Sequence, residues 1–224
     1  MKVILLPGMD GTGLLFEPLI KHFPQNIEFE VVSLNETPGT DPREQAIEIS
    51  KKIVDPRVIL VAESYSGRIA HELFNILGKK IAKIIFLASF ISRPSKISKL
   101  TGLLPEFLLN PSVVPDWALN TICFAGHGRR EQISLVRRAI GLVDPTVLKA
   151  RLHQLSNLEV PQNTQNVQAV YIRPTNDHLV SSEAVKILAK TYDQLQIETV
   201  AGGHFIAQAK PDECARVILS AITT

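Results

Sequence analysis

A serine, an aspartate and a histidine, far apart along the chain, stand in segments whose local composition suits nucleophilic chemistry. The serine is Ser64, in Val61-Ala62-Glu63-Ser64-Tyr65-Ser66-Gly67, where a strand pattern runs into a helical one with almost no loop. So tight a turn forces its central residue into a strained backbone conformation and exposes the hydroxyl. Side chains two before and two after that residue would collide where strand and helix cross. Ala62 and Ser66 are small enough, and Gly67 lets the helix pack closely. The usual pattern of such a turn is G-x-S-x-G, so both glycines are replaced here by other small residues. The helix start also brings backbone N–H groups and a positive dipole end beside Ser64. A polar turn with a capping serine has the same composition, so this segment alone does not decide.

Three further segments decide more. In Tyr171-Ile172-Arg173-Pro174-Thr175-Asn176-Asp177-His178 an acid follows a strand pattern, and Asp177 in that loop can reach a histidine in the next one. Its plainer reading is a cap for the helix after Ser181. His178 competes as the base, although neighbours in sequence serve each other poorly as acid and base. In Val200-Ala201-Gly202-Gly203-His204-Phe205 two glycines swing His204 over a strand end. In Leu6-Pro7-Gly8-Met9-Asp10-Gly11-Thr12-Gly13 a glycine-rich turn lets backbone approach a ligand. Phosphate binding fits poorly, because no lysine follows the last glycine and the G-x-G-x-x-G spacing is absent. The better expectation is an oxyanion hole made by the N–H groups of Met9 and Tyr65, with Asp10 bracing the loop through its own backbone. Ser64 as nucleophile, His204 as base and Asp177 as its orienting acid then predict acyl transfer through a covalent intermediate. That chemistry needs no metal and no organic cofactor.

The elements that must position these groups alternate in period. Val3–Leu6, Phe29–Leu34, Val58–Val61 and Ile84–Leu87 read as buried strands. Helical patterns lie between them: one after Gly13 through Ile20, one starting at Asp41-Pro42 with Ala46, Ile49 and Ile53 on one face, and one from Tyr65 to Leu77 that stops at Gly78. After residue 166 the alternation resumes, with strands at Val167–Ile172 and Ile197–Val200 and helices at Ser181–Tyr192 and Pro211–Ile222. Strand alternating with helix predicts an α/β fold with a parallel sheet covered on both faces. Open parallel sheets hold their ligands beyond the carboxyl ends of the strands, and all four segments follow strands. From residue 92 to 166 the pattern changes to short helical pieces punctuated by proline, which predicts a helical cap inserted into a core made of 1–91 and 167–224. Leu103, Leu104, Phe107, Leu108, Trp117 and Phe124 in that insertion are candidates to line an acyl pocket, or simply to pack the cap onto the sheet.

Composition narrows the classes. The chain has 224 residues, 45% of them hydrophobic, enough for one well-buried core. A formal net charge of +2 with 21% charged residues argues against a nucleic-acid binder. Arg129-Arg130 and Arg137-Arg138 read as a solvated helix face. Two cysteines, Cys123 and Cys214, make neither a disulfide framework nor a thiolate site. The apolar start, Met1–Leu6, is broken by Pro7-Gly8 too early for a signal peptide, and Ile84–Ile91 is too short to span a bilayer. A cytoplasmic protein with no stable membrane association follows by default.

Ser64 in its tight turn, Asp177, the Gly-Gly-His-Phe of His204 and the Pro7-Gly8-Met9 loop together resemble the α/β-hydrolase superfamily. The resemblance covers everything but the insertion, which corresponds to the superfamily's variable cap. It implies about six parallel strands, the first two of the family being missing, in the family order 4-3-5-6-7-8. Pro7 stands where the family more commonly has a histidine. The two glycine-containing motifs also resemble a group of small bacterial hydrolases and, more loosely, pimeloyl-carrier methyl esterases and plastid phytyl-ester-forming acyltransferases. The resemblance implies hydrolysis of a small-molecule ester or thioester. The insertion's slight basic excess makes an acidic carrier protein a conceivable bearer of that substrate. An acyltransferase with the same triad, a lyase or haloperoxidase, and a non-catalytic binding protein on the same fold are the rival expectations.

Overall fold

A computed structural model of the chain describes residues 1–95 and 112–223. Six parallel strands form its sheet: β1 (Lys2–Leu6), β2 (Phe29–Val31), β3 (Val58–Glu63), β4 (Ile81–Leu87), β5 (Gln165–Pro174) and β6 (Tyr192–Val200), in the order β2-β1-β3-β4-β5-β6. Side chains alternate across it because successive Cβ atoms point to opposite faces. Ile4, Leu60, Ile84, Phe86 and Tyr171 pack on α2 (Pro42–Lys52), α3 (Ser66–Leu77) and α7 (Ser182–Thr191). Val3, Val61, Ile85 and Ile172 face α1 (Glu17–Ile20) and α9 (Pro211–Thr223). Among the described residues three helices lie between β4 and β5 in the chain: α4 (Asp116–Phe124), α5 (Arg130–Gly141) and α6 (Pro145–Asn157). A single turn, α8 (Ile206–Ala209), follows β6.

The differences from expectation lie at edges. β2 ends at Val31, not Leu34: beyond it the chain leaves the sheet, and the Leu34 N–H bonds the Gly11 carbonyl at 2.9 Å. β6 starts at Tyr192, which the sequence pattern gives to the preceding helix. Its residues are mostly exposed, as an edge strand allows, so the apolar run signals only its last part. The helical pattern after Gly13 is realised as a 3₁₀ turn (Leu14–Phe16) followed by α1. Among the described residues no helix is long and apolar enough to cross a membrane. Arg137 pairs with Asp116 at 2.5 Å and Arg138 with Glu17 at 3.3 Å, so these basic residues lie in surface ion pairs. Phe124 is buried in a small cluster with Leu15, Leu119, Cys123 and Val136, which joins α4 and α5 to the 3₁₀ turn.

Candidate active site

Sheet register puts the four segments at one rim. Leu6 pairs with Ala62, Glu63 with Leu87, and Pro174 with Val200, so the loops after β1, β3, β5 and β6 all leave the same edge. Ser64 is the single residue between the end of β3 and Tyr65, which precedes the first turn of α3. Its φ is 48°, a left-handed conformation rare for a side-chain-bearing residue. The strain is held from several sides. The Ser64 N–H donates to the Leu87 carbonyl at 3.0 Å, and the Ser89 hydroxyl donates to the Ser64 carbonyl at 2.6 Å. The Ser66 hydroxyl bonds the Pro7 carbonyl, joining the turn to the glycine-rich loop. Gly67 is needed because a methyl there would stand 2.2 Å from Ser89 Oγ and 2.4 Å from the Phe90 carbonyl oxygen.

Ser64, His204 and Asp177 form one chain of contacts. Ser64 Oγ lies 2.8 Å from His204 Nε2, and His204 Nδ1 lies 2.8 Å from Asp177 Oδ2. A carboxylate only accepts, so Nδ1 carries the hydrogen, and in the neutral ring Nε2 is left free to take the hydroxyl proton. The other Asp177 oxygen accepts from the amides of Leu179 and Val180 at 2.8 and 2.9 Å, which fixes the carboxylate's orientation. Ser181, not Asp177, caps the following helix. Burial disfavours the charged imidazole, but the Asp177 carboxylate outweighs it and raises the His204 pKa above the ordinary value. Burial likewise opposes ionised Asp177, but His204 and the two amides hold its pKa below the usual carboxylate range. The His204 ring is only 5% exposed and meets Phe205 edge-on at 5.5 Å. His178 borders a cavity beside Ser64 but is not the ring that meets the hydroxyl.

Among the described residues two apolar cavities open at Ser64. The larger, about 220 Å³, is walled by Val114, Leu119, Ile140, Leu148 and Leu152 from the segment between β4 and β5, and by Leu15 and Phe205. The smaller, about 170 Å³, is walled by Tyr65, Phe90, Leu152 and Leu155, and Met9, Ser64 and His204 border both. Met9 and Tyr65, whose amides are the expected oxyanion donors, thus flank the serine. The Tyr65 phenol is pinned by the Thr40 carbonyl at 2.7 Å. Asp10 braces its loop as expected: Oδ2 accepts from the Thr12 amide at 2.9 Å and the Thr12 hydroxyl at 2.5 Å. Of the expected pocket residues, Trp117 is 73% exposed and is not among those lining either cavity. Leu103, Leu104 and Phe107 lie outside the described residues.

Sequence reasoning missed two buried charged residues here. Glu63, beside the serine, lines the larger cavity and accepts from Gln208 Nε2 at 2.8 Å. Burial and then the nearby Asp10 charge push its carboxyl up to about 7. An acid inside a strand buried on both faces was the available signal. Arg151 of α6 reaches under the glycine-rich loop, and its place on the Leu148–Leu152–Leu155 face was the signal there.

No protein-family model matches the sequence, and no curated protein does. Solved structures do. An esterase from Exiguobacterium antarcticum superposes with a TM-score of 0.83 at 13% identity, covering 100% of this chain and 92% of that one. A hydrolase from Oleispira antarctica gives 0.82 at 14%, covering 100% and 91%. The 2-hydroxy-6-oxo-6-phenylhexa-2,4-dienoate hydrolase from Rhodococcus sp. strain RHA1 gives 0.77 at 14%, covering 100% and 90%. With six parallel strands in this order and neighbours spanning its whole length, the chain has the α/β-hydrolase fold.

Proposed function

We propose that this protein is a serine hydrolase that cleaves a carboxylic ester or thioester through an acyl-enzyme intermediate. The observation that carries the reading is the hydroxyl–imidazole–carboxylate chain, with both contacts at 2.8 Å, opening onto apolar cavities. His204 takes the Ser64 proton as Oγ attacks the substrate carbonyl carbon. The Met9 and Tyr65 amides stabilise the oxygen that gains charge. His204 then gives the proton to the leaving alcohol or thiol as its bond to the acyl carbon breaks. Water, deprotonated by the same ring, releases the acid and restores Ser64. Asp177 holds the tautomer and offsets the imidazolium charge. The neighbouring structures named esterase and hydrolase are in keeping with this reading.

The substrate proposed is a small molecule with an apolar acyl group, because apart from Ser64, His204, Asp10 and Glu63 at one end the larger cavity is walled by apolar side chains. The core of 1–91 and 167–224 would carry the triad, and the cap of 92–166 would shape the acyl site. The smaller cavity favours one second reading, an acyltransferase in which an acceptor alcohol sits there and displaces water. Product analysis with added alcohols separates the two. For the main reading, Ser64→Ala should abolish hydrolysis of a short-chain p-nitrophenyl ester while leaving the circular-dichroism spectrum intact. Unchanged turnover by that variant contradicts it.

A further inference from the structure

Arg151 is 0% exposed, although its neighbours on the inner face of α6 are Leu148, Leu152 and Leu155. Its Nη1 donates to the Met9 carbonyl at 2.8 Å and its Nη2 to the Leu34 carbonyl at 3.0 Å. Those carbonyls belong to different segments, the loop after β1 and the turn after β2. The Leu34 N–H returns a bond to Gly11, and Asn35 Nδ2 donates to the Asp10 carbonyl at 3.2 Å. One guanidinium therefore ties the glycine-rich loop to the chain beneath it. Gly11 makes room: its φ is 65°, and a methyl there would stand 2.6 Å from Arg151 Nη1.

Among the described residues no carboxylate lies within ion-pair distance of this guanidinium. Burying a charge whose bonds run only to neutral carbonyls is costly, and a leucine would complete the apolar face of α6. What the charge supplies is geometry. A planar fork making two charge-assisted bonds holds both carbonyls in one orientation, which an ammonium on a flexible stem does less well.

We propose that Arg151 is a positioning residue for oxyanion stabilisation: α6 lends a guanidinium that fixes the Gly8–Asp10 turn so that the Met9 amide faces the oxygen of a substrate attacked by Ser64. This rests on the serine-hydrolase reading above. It assigns to the segment between β4 and β5 a part in setting the catalytic geometry, besides walling the cavity.

The test compares the full-length wild type with Arg151→Ala and Arg151→Lys. Three quantities are read: active-site titre with a fluorophosphonate, kcat and KM per active site on a p-nitrophenyl ester, and affinity for an alkyl trifluoromethyl ketone. The ketone adds Ser64 Oγ to its carbonyl carbon, the hydroxyl proton passes to His204, and the resulting alkoxide occupies the oxyanion position. Losing one oxyanion donor outright costs about 10²–10³ in kcat, so loosening one should cost roughly tenfold to a hundredfold. The expected result is that fall in kcat for Arg151→Ala with KM changed less than about threefold. Ketone affinity falls by the same factor as kcat/KM, and Arg151→Lys recovers part of both. If Arg151→Ala does not fold, a fall in kcat and ketone affinity in Arg151→Lys, with its titre intact, still supports the role. Variants that lose only titre, with kcat per site and ketone affinity unchanged, show that Arg151 merely supports the fold and overturn the proposal. An inert, unlabelled wild type overturns the hydrolase reading itself, and this proposal with it.

Discussion

Replacing Glu63 by glutamine should stabilise the protein at alkaline pH and hardly at all in acid. Glu63 is 4% exposed, with one oxygen bonded to Gln208. Among the described residues its other oxygen and Asp10 Oδ1 are both buried without a well-aligned hydrogen-bond partner. They face one gap, since a methyl on Gly8 would stand 3.8 and 3.5 Å from them. The ionisable groups around Glu63 are Asp10, His204 and Cys214. Burial first, then Asp10, lifts its pKa from 4.5 to about 7 against the opposing effects of Gln208, His204 and the Gly8 backbone amide. Between those two values the folded protein keeps a proton that the unfolded chain has released. Stability from this group is therefore complete below pH 4.5, declines as pH rises, and is lost above about 7. At 1.36 kcal/mol per pKa unit the full span is about 3 kcal/mol, most of which falls between pH 5 and pH 8. The substituted amide would keep the Gln208 bond, offer Asp10 an N–H, and not titrate. Urea unfolding of wild type and Glu63→Gln at the two pH values reads the effect, because ionisations common to both cancel in the difference. The variant's advantage should grow by about 2–3 kcal/mol from pH 5 to pH 8. An advantage equal at both pH values would mean that Glu63 titrates normally, and the buried carboxyl pair as described would be wrong.

Other outcomes follow from the site. Asp177→Asn leaves the ring without its acceptor and should lower kcat by about 10⁴ at nearly unchanged KM; steady-state kinetics within tenfold of wild type would count against the tautomer argument. Gly67→Ala drives a methyl against Ser89 and the Phe90 carbonyl and should cost about 1–3 kcal/mol, seen as a lower Tm, whereas an unchanged Tm means that strand and helix do not meet so closely. Ile140→Trp fills part of the larger cavity and should shift preference towards shorter acyl chains across a p-nitrophenyl ester series; a profile unchanged in shape would place the acyl group elsewhere.

Much of the site is legible in the sequence because its parts carry local signals. The strand-to-helix junction at Ser64, the paired glycines before His204 and the loop before Asp177 each mark a strand end, and parallel register brings such ends to one rim. Small residues at 62 and 66 preserve the steric logic of the turn although both usual glycines are gone. What stays hidden depends on partners distant in sequence. Nothing near Arg151 announces that its guanidinium will meet carbonyls at positions 9 and 34. Glu63 sits in an apolar run, and its raised pKa arises from burial and from Asp10, more than fifty residues earlier. Residue size is a poor guide to the cavity wall: Trp117 faces outward, while the smaller Val114, Leu119 and Ile140 line the space. Edge strands mislead for a related reason, because mostly exposed residues such as 193–196 lose the apolar run that marks a buried strand.

The central claim is that one hydroxyl in this chain is an activated nucleophile. Incubation of the folded protein with a fluorophosphonate, followed by peptide mapping by mass spectrometry, tests it most directly. The adduct should sit on Ser64 alone and should be nearly absent in His204→Ala, whose serine lacks its base. No adduct, or one on another residue that survives loss of His204, would contradict the reading.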